Sequence, residues 1–157
     1  MTDHTPHETI HSGGCLCGAV RYRTHGQPAK AALCHCRYCQ ARTGSAFGLA
    51  IYFRTDQVEH LSGELKSYSF QTESGRSFTT RFCPTCGTSL FWTTAAGTDL
   101  TGVAGGSFDP PTFWYDIKRE VFTRSAAPFV HTSIADTSET SSSYAPVQPD
   151  PAALKGG

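Results

Sequence analysis

Apolar and polar positions along this chain alternate in short bursts of period two, the signature of half-buried strands. Ala19-Val20-Arg21-Tyr22-Arg23 alternates this way, as does Leu65-Lys66-Ser67-Tyr68-Ser69-Phe70. Residues 47–53 are mostly apolar and read as a buried strand. Residues 77–82, 89–93, 100–104 and 113–122 are further strand candidates. Gly13-Gly14, Gly105-Gly106 and Pro110-Pro111 punctuate the bursts as turns. No stretch sustains a 3.6-residue period. Residues 37–43 can form one short helix ended by Gly44. The pattern predicts an all-β fold with one short helix at most.

Composition divides the 157 residues into three parts. Residues 1–12 are polar, carry His4, His7 and His11, and are expected to be a disordered lead. Residues 13–131 suit one domain with its own core. Residues 132–157 are rich in Ser, Thr, Pro and Ala, and are expected to form a flexible tail because they offer little to bury. The formal net charge is zero, which points to neither nucleic acid nor an anionic membrane as a partner. No apolar run approaches the roughly 20 residues of a membrane span. The polar N-terminus carries no secretory pattern, so a cytoplasmic location is expected.

There reduced thiols prevail, and the seven cysteines, an odd number, cannot all pair as disulfides. Metal binding is the first reading. The spacings are Cys15-x-Cys17, Cys34-x-Cys36-x-x-Cys39 and Cys83-x-x-Cys86. Two close pairs on tight turns make one tetrahedral site, so Cys15, Cys17, Cys83 and Cys86 are expected to hold a structural zinc. Cys34, Cys36 and Cys39 leave a fourth position open, as catalytic zinc sites do. Two alternatives remain. A histidine such as His35 or His60 could close the second site, although neighbouring side chains of an extended Cys34-His35-Cys36 unit point to opposite faces and favour a supporting role for His35. An iron–sulfur cluster would need four cysteines, which only the first set supplies.

At these residues the sequence resembles the glutathione-dependent formaldehyde-activating enzyme family, which also includes centromere protein V. The matching stretches are Gly14-Cys15-Leu16-Cys17-Gly18-Ala19-Val20-Arg21-Tyr22; Cys34-His35-Cys36-Arg37-Tyr38-Cys39-Gln40 with Thr43-Gly44-Ser45-Ala46-Phe47; and Arg81-Phe82-Cys83-Pro84-Thr85-Cys86-Gly87-Thr88. The resemblance implies a β-tent, Mss4-like fold, a structural zinc on Cys15, Cys17, Cys83 and Cys86, and a catalytic zinc on Cys34, Cys36 and Cys39. It also implies a carbon–sulfur lyase that adds glutathione to formaldehyde. Ala127-Pro128-Phe129 stands where many members place a tryptophan.

The expected partners are a glutathione-like thiol and a small electrophile such as formaldehyde. A three-thiolate centre suits sulfur nucleophiles better than deep activation of water. Glutathione is anionic, so Arg37 and Arg42 beside the open site are candidate carboxylate partners, and Gly44 and Ser45 can offer backbone N–H groups. Phe47, Tyr52, Phe53, Phe91 and Trp92 are assigned to the core, and His60 and His131 to ordinary surface or core positions. Two other classes stay in play: a zinc-stabilised binding module without catalysis, and a hydrolase in which the metal activates water. The hydrolase lacks an evident base, because no motif ties Glu59, Glu64 or Glu73 to the metal.

Overall fold

The computed structural model describes residues 9–95 and 99–147. In chain order the elements are β1 (Ile10–Gly14), β2 (Arg21–His25), β3 (Lys30–Cys34), α1 (Arg37–Thr43), β4 (Gly48–Arg54), β5 (Val58–Ser62), β6 (Lys66–Gln71), β7 (Ser77–Phe82), β8 (Ser89–Thr94), β9 (Leu100–Ala104), β10 (Arg119–Val121) and β11 (Asp136–Ser138). The protein is mostly β, with α1 as its one α-helix among the described residues. Among the described residues no helix is long and apolar enough to cross a membrane.

β1, β2 and β5 form a small antiparallel sheet. The other eight strands form one sheet in the order β11-β10-β3-β4-β9-β8-β7-β6. β10 runs parallel to both β3 and β11, and the remaining pairs are antiparallel. Alternation along each strand sorts the large sheet into two apolar faces. One face meets the small sheet: Ile51 and Phe53 of β4, Phe91 of β8 and Val103 of β9 are buried in one cluster with Val20, Tyr22, Phe108 and Tyr115. Tyr22 meets Phe91 and Phe108 edge-on, at centroid separations of 5.1 and 5.6 Å. Each such side chain contributes about 1.5–3 kcal/mol by leaving water.

The opposite face carries a single row across the strands, set by register. Tyr52 pairs with Gly102, Gly102 with Trp92, Trp92 with Thr80, and Thr80 with Tyr68. Gly102 is required there, because a Cβ would overlap the Trp92 indole.

The sequence pattern locates β2, β4, β6, β7, β8, β9 and α1 to within two residues. It does not show β1, β3 or β5. β5 is almost wholly exposed at the edge of the small sheet, so it lacks alternation to detect. The candidate strand 113–122 shrinks to β10, because Trp114 and Tyr115 pack against Phe108 from irregular backbone.

The expected boundaries at 12 and 132 also differ from the structure. Ile10, His11 and Ser12 pair with β2, and His11 stacks on Trp114 at 3.6 Å between centroids. β11 adds to the large sheet, and the Val147 N–H donates to the Glu73 carbonyl at 2.8 Å. The backbone of a segment poor in apolar side chains is held here by hydrogen bonds, which composition does not report. Residues 1–8, with His4 and His7, and residues 148–157 lie outside the described residues.

Candidate metal centres and cavity

Cys15, Cys17, Cys83 and Cys86 come together from the turn before β2 and the turn between β7 and β8, with all four sulfurs within 4.8 Å of one another. The two turns are built alike. The Gly18 N–H returns to the Cys15 carbonyl and the Gly87 N–H to the Cys83 carbonyl, and both glycines have φ near +80° (80° and 77°), where a Cβ is disfavoured. Cys15 and Cys17 sulfurs are 3.6 Å apart, and Cys17 and Cys83 sulfurs 3.8 Å. Sulfurs 2.3 Å from a tetrahedral zinc are about 3.8 Å apart, so this donor set fits the ion.

Thr88 ties the two turns together. Its hydroxyl accepts the Leu16 N–H at 3.1 Å and donates to Cys86 Sγ at 3.2 Å. Hydrogen bonds from Thr88 and neighbouring backbone hold the Cys86 thiol down to about 5.

Cys34, Cys36 and Cys39 also gather within 4.8 Å, where β3 ends and α1 begins. Cys36 is the N-cap of α1, and its sulfur accepts the Cys39 N–H at 3.4 Å. Hydrogen bonds from the Cys34 and Cys36 thiols, with the Arg42 guanidinium beside it, hold Cys39 well below the usual thiol range. No histidine or carboxylate joins the three sulfurs among the described residues. This group can hold a metal with one position left for an outside ligand.

His35 points away from the sulfurs. It is fully buried, and its Nε2–H donates to Glu120 Oε1 at 2.6 Å, while Thr132 donates to Glu120 Oε2 at 2.6 Å. His60 is engaged with its own strand, through the Ser62 carbonyl at 2.9 Å.

The three sulfurs lie at the wall of a cavity of ≈ 1480 Å³ over the second face of the large sheet. Arg42 and Tyr38, one helical turn apart on α1, both line it. The Arg42 guanidinium lies 4.1 Å over the Trp92 ring, which is itself stacked on Phe78. Trp92 Nε1–H donates to Tyr52 Oη at 3.0 Å, and burial pushes the Tyr52 phenol up to about 12. Ser141, Ser142, Ser143 and Tyr144 form another side of the cavity.

The assignment of all five aromatics to the core is therefore corrected. Phe53 and Phe91 are core, but Tyr52 and Trp92 face the cavity, because they sit on the other parity of their strands. Phe47 is half-buried, edge-on to His35.

Of the four residues expected to contact substrate, Arg42 lines the cavity and Arg37, Gly44 and Ser45 do not. Arg37 donates to Gln40 Oε1 at 2.7 Å. The Gly44 and Ser45 N–H groups both return to the Gln40 carbonyl, where they end α1 in a left-handed turn. They are engaged by the helix and are not free for a carboxylate. The structure also brings Glu73 into the cavity wall, where it accepts the Tyr38 hydroxyl at 2.7 Å. Tyr38 could have been found from its i, i+4 relation to Arg42. Glu73 sits in a loop and has no local signal.

A search of curated proteins gives no match. Among solved structures, a crystal structure of a Rhodobacter sphaeroides protein determined by structural genomics aligns with a TM-score of 0.51 and 23% identity, covering 68% of this chain and 96% of that one. That likeness shows a shared fold. The family model of the glutathione-dependent formaldehyde-activating enzyme matches residues 10–125, a span that holds all seven cysteines, and the chain belongs to that family.

Proposed function

We propose that the protein is a two-zinc carbon–sulfur lyase that joins a glutathione-like thiol to formaldehyde or a related small electrophile. Cys15, Cys17, Cys83 and Cys86 hold one ion for structure, and Cys34, Cys36 and Cys39 hold the other for chemistry. One observation carries this reading: three sulfurs converge on the wall of a large cavity with no fourth protein ligand among the described residues. Zinc at that position supplies a site that holds an incoming thiol as its thiolate.

The reaction forms one S–C bond to the carbonyl carbon, and the proton lost by the thiol ends on the carbonyl oxygen. No atom is oxidised or reduced. Arg42 lies between Cys39 and Trp92, so its charge favours anions at the sulfur end of the cavity. The stacked Trp92 and Phe78 rings make that part of the wall apolar, and a lower local dielectric strengthens the attraction.

Zinc-edge X-ray absorption with and without glutathione tests the reading. Saturating glutathione should add a sulfur scatterer at about 2.3 Å to one of the two sites. An unchanged spectrum overturns the proposal and leaves hydrolysis or a zinc-stabilised binding module.

A further inference from the structure

The cavity wall carries charges of both signs, Arg42 and Arg76 as well as Glu73 and Asp116. Arg42 stands beside Cys39. Glu73 is in the same wall, only 3% exposed, and among the described residues its side chain meets one partner, the Tyr38 hydroxyl. No Lys, Arg or His forms an ion pair with Glu73 among the described residues. A buried carboxylate with one neutral donor lacks the counter-charge that buried ions require. A row of stacked rings links Glu73 to Arg42, which lies over Trp92. Tyr38 lies on Phe70 and Phe70 on Phe78, each at 5.1 Å, and Phe78 lies on Trp92 at 6.4 Å. The loop holding Glu73 is fixed from outside, through the Val147 N–H on the Glu73 carbonyl and the Ala145 N–H on Ser74 Oγ at 3.1 Å.

We propose that Glu73, beside Tyr38 and the stacked ring wall, is the seat for an ammonium group at the far end of the thiol substrate. The inference rests on the thiol reading above and adds which end of the thiol the protein recognises. Tyr38 stands between Cys36 and Cys39 in sequence and Glu73 lies beyond its hydroxyl, so a full tyrosine side chain separates Glu73 from the α1 backbone that carries these cysteines. In cysteine and cysteamine only two carbons part the ammonium from the sulfur. In glutathione the γ-glutamyl arm carries the ammonium several bonds further from the sulfur, so it has the longer reach. A low-dielectric aromatic wall strengthens a carboxylate–ammonium pair, and the ring faces attract the cation as well.

The test is calorimetric binding of four peptides to the zinc-loaded protein: glutathione, N-acetylglutathione, S-methylglutathione and N-acetyl-S-methylglutathione. The wild-type protein should bind each free amine about tenfold or more tightly than its N-acetyl partner. Glu73→Gln keeps an acceptor for the Tyr38 hydroxyl but removes the charge. It should bring each pair to within about twofold, with zinc content and melting temperature unchanged. Equal binding of the free and acetylated peptides by wild type overturns the proposal, and that comparison needs no variant. A full preference for the free amine in folded Glu73→Gln also overturns it. Failure of the thiol reading is a separate result: the S-methyl peptides would bind as tightly as the thiols while the amine preference persisted.

Discussion

His35 Nε2 and Glu120 Oε1 lie 2.6 Å apart in the interior, and this contact joins the three-thiol loop to the C-terminal segment. His35 sits between two of the clustered cysteines. Glu120 belongs to β10 and is also held by Thr132. The ligand loop is thus braced by a hydrogen bond whose last donor comes from the part of the chain that composition marks as a tail.

Thr132→Val should therefore destabilise the protein by about 1 kcal/mol through loss of that donor. Hydrogen bonds from Thr132 and then His35 hold Glu120 below its ordinary value of 4.5. A depressed carboxylate contributes stability that is present above its unfolded pKa and lost as pH falls through its folded one. The penalty for Thr132→Val should consequently be flat from about pH 6 to 8. Urea denaturation of both proteins at several pH values measures it, and a penalty that changes across that window would contradict the assignment.

A chain ending at His131 should lose β11, Thr132 and the segment that fixes Glu73. Each kcal/mol lost lowers the melting temperature of a protein this size by about 2–4 °C, so a drop of more than about 5 °C is expected. This runs against the expectation from composition that residues 132–157 form a flexible tail. Calorimetric melting of the shortened chain decides between the two.

The two thiol groups should respond differently to ligand loss. Cys83→Ser should give unfolded or insoluble protein, because binding at a closed four-thiolate site is coupled to folding. Cys36→Ser should stay folded with about one zinc per chain and lose thiol binding. Metal analysis beside circular dichroism reads both. A folded Cys83→Ser protein with both metals would refute the division.

Arg42→Gln should weaken glutathione binding by about tenfold or more, since its guanidinium faces the cavity beside Cys39. Arg37→Ala should leave binding unchanged, because Arg37 is outside the cavity and paired with Gln40. Titration calorimetry on the two variants separates these arginines, which stand five residues apart and look equivalent in sequence.

The sequence by itself determined what is local. Cysteine spacing paired Cys15 with Cys17 and Cys83 with Cys86 and grouped Cys34, Cys36 and Cys39, because short turns bring their own ends together, whereas the fold brings the two pairs to one place. Gly44 marked the end of α1, and the structure gives it, with Gly18 and Gly87, a left-handed backbone. The apolar–polar pattern located most strands but assigned Phe91 and Trp92 alike to the core. It could not say which face would meet the small sheet and which would line the cavity, because both faces of the large sheet are apolar. Only the tertiary structure decided that. It also decided that Glu73 meets Tyr38, that Glu120 meets His35, and that residues 132–147 dock on the domain. These contacts join residues far apart in sequence or run through backbone groups that every residue carries, so no local pattern encodes them.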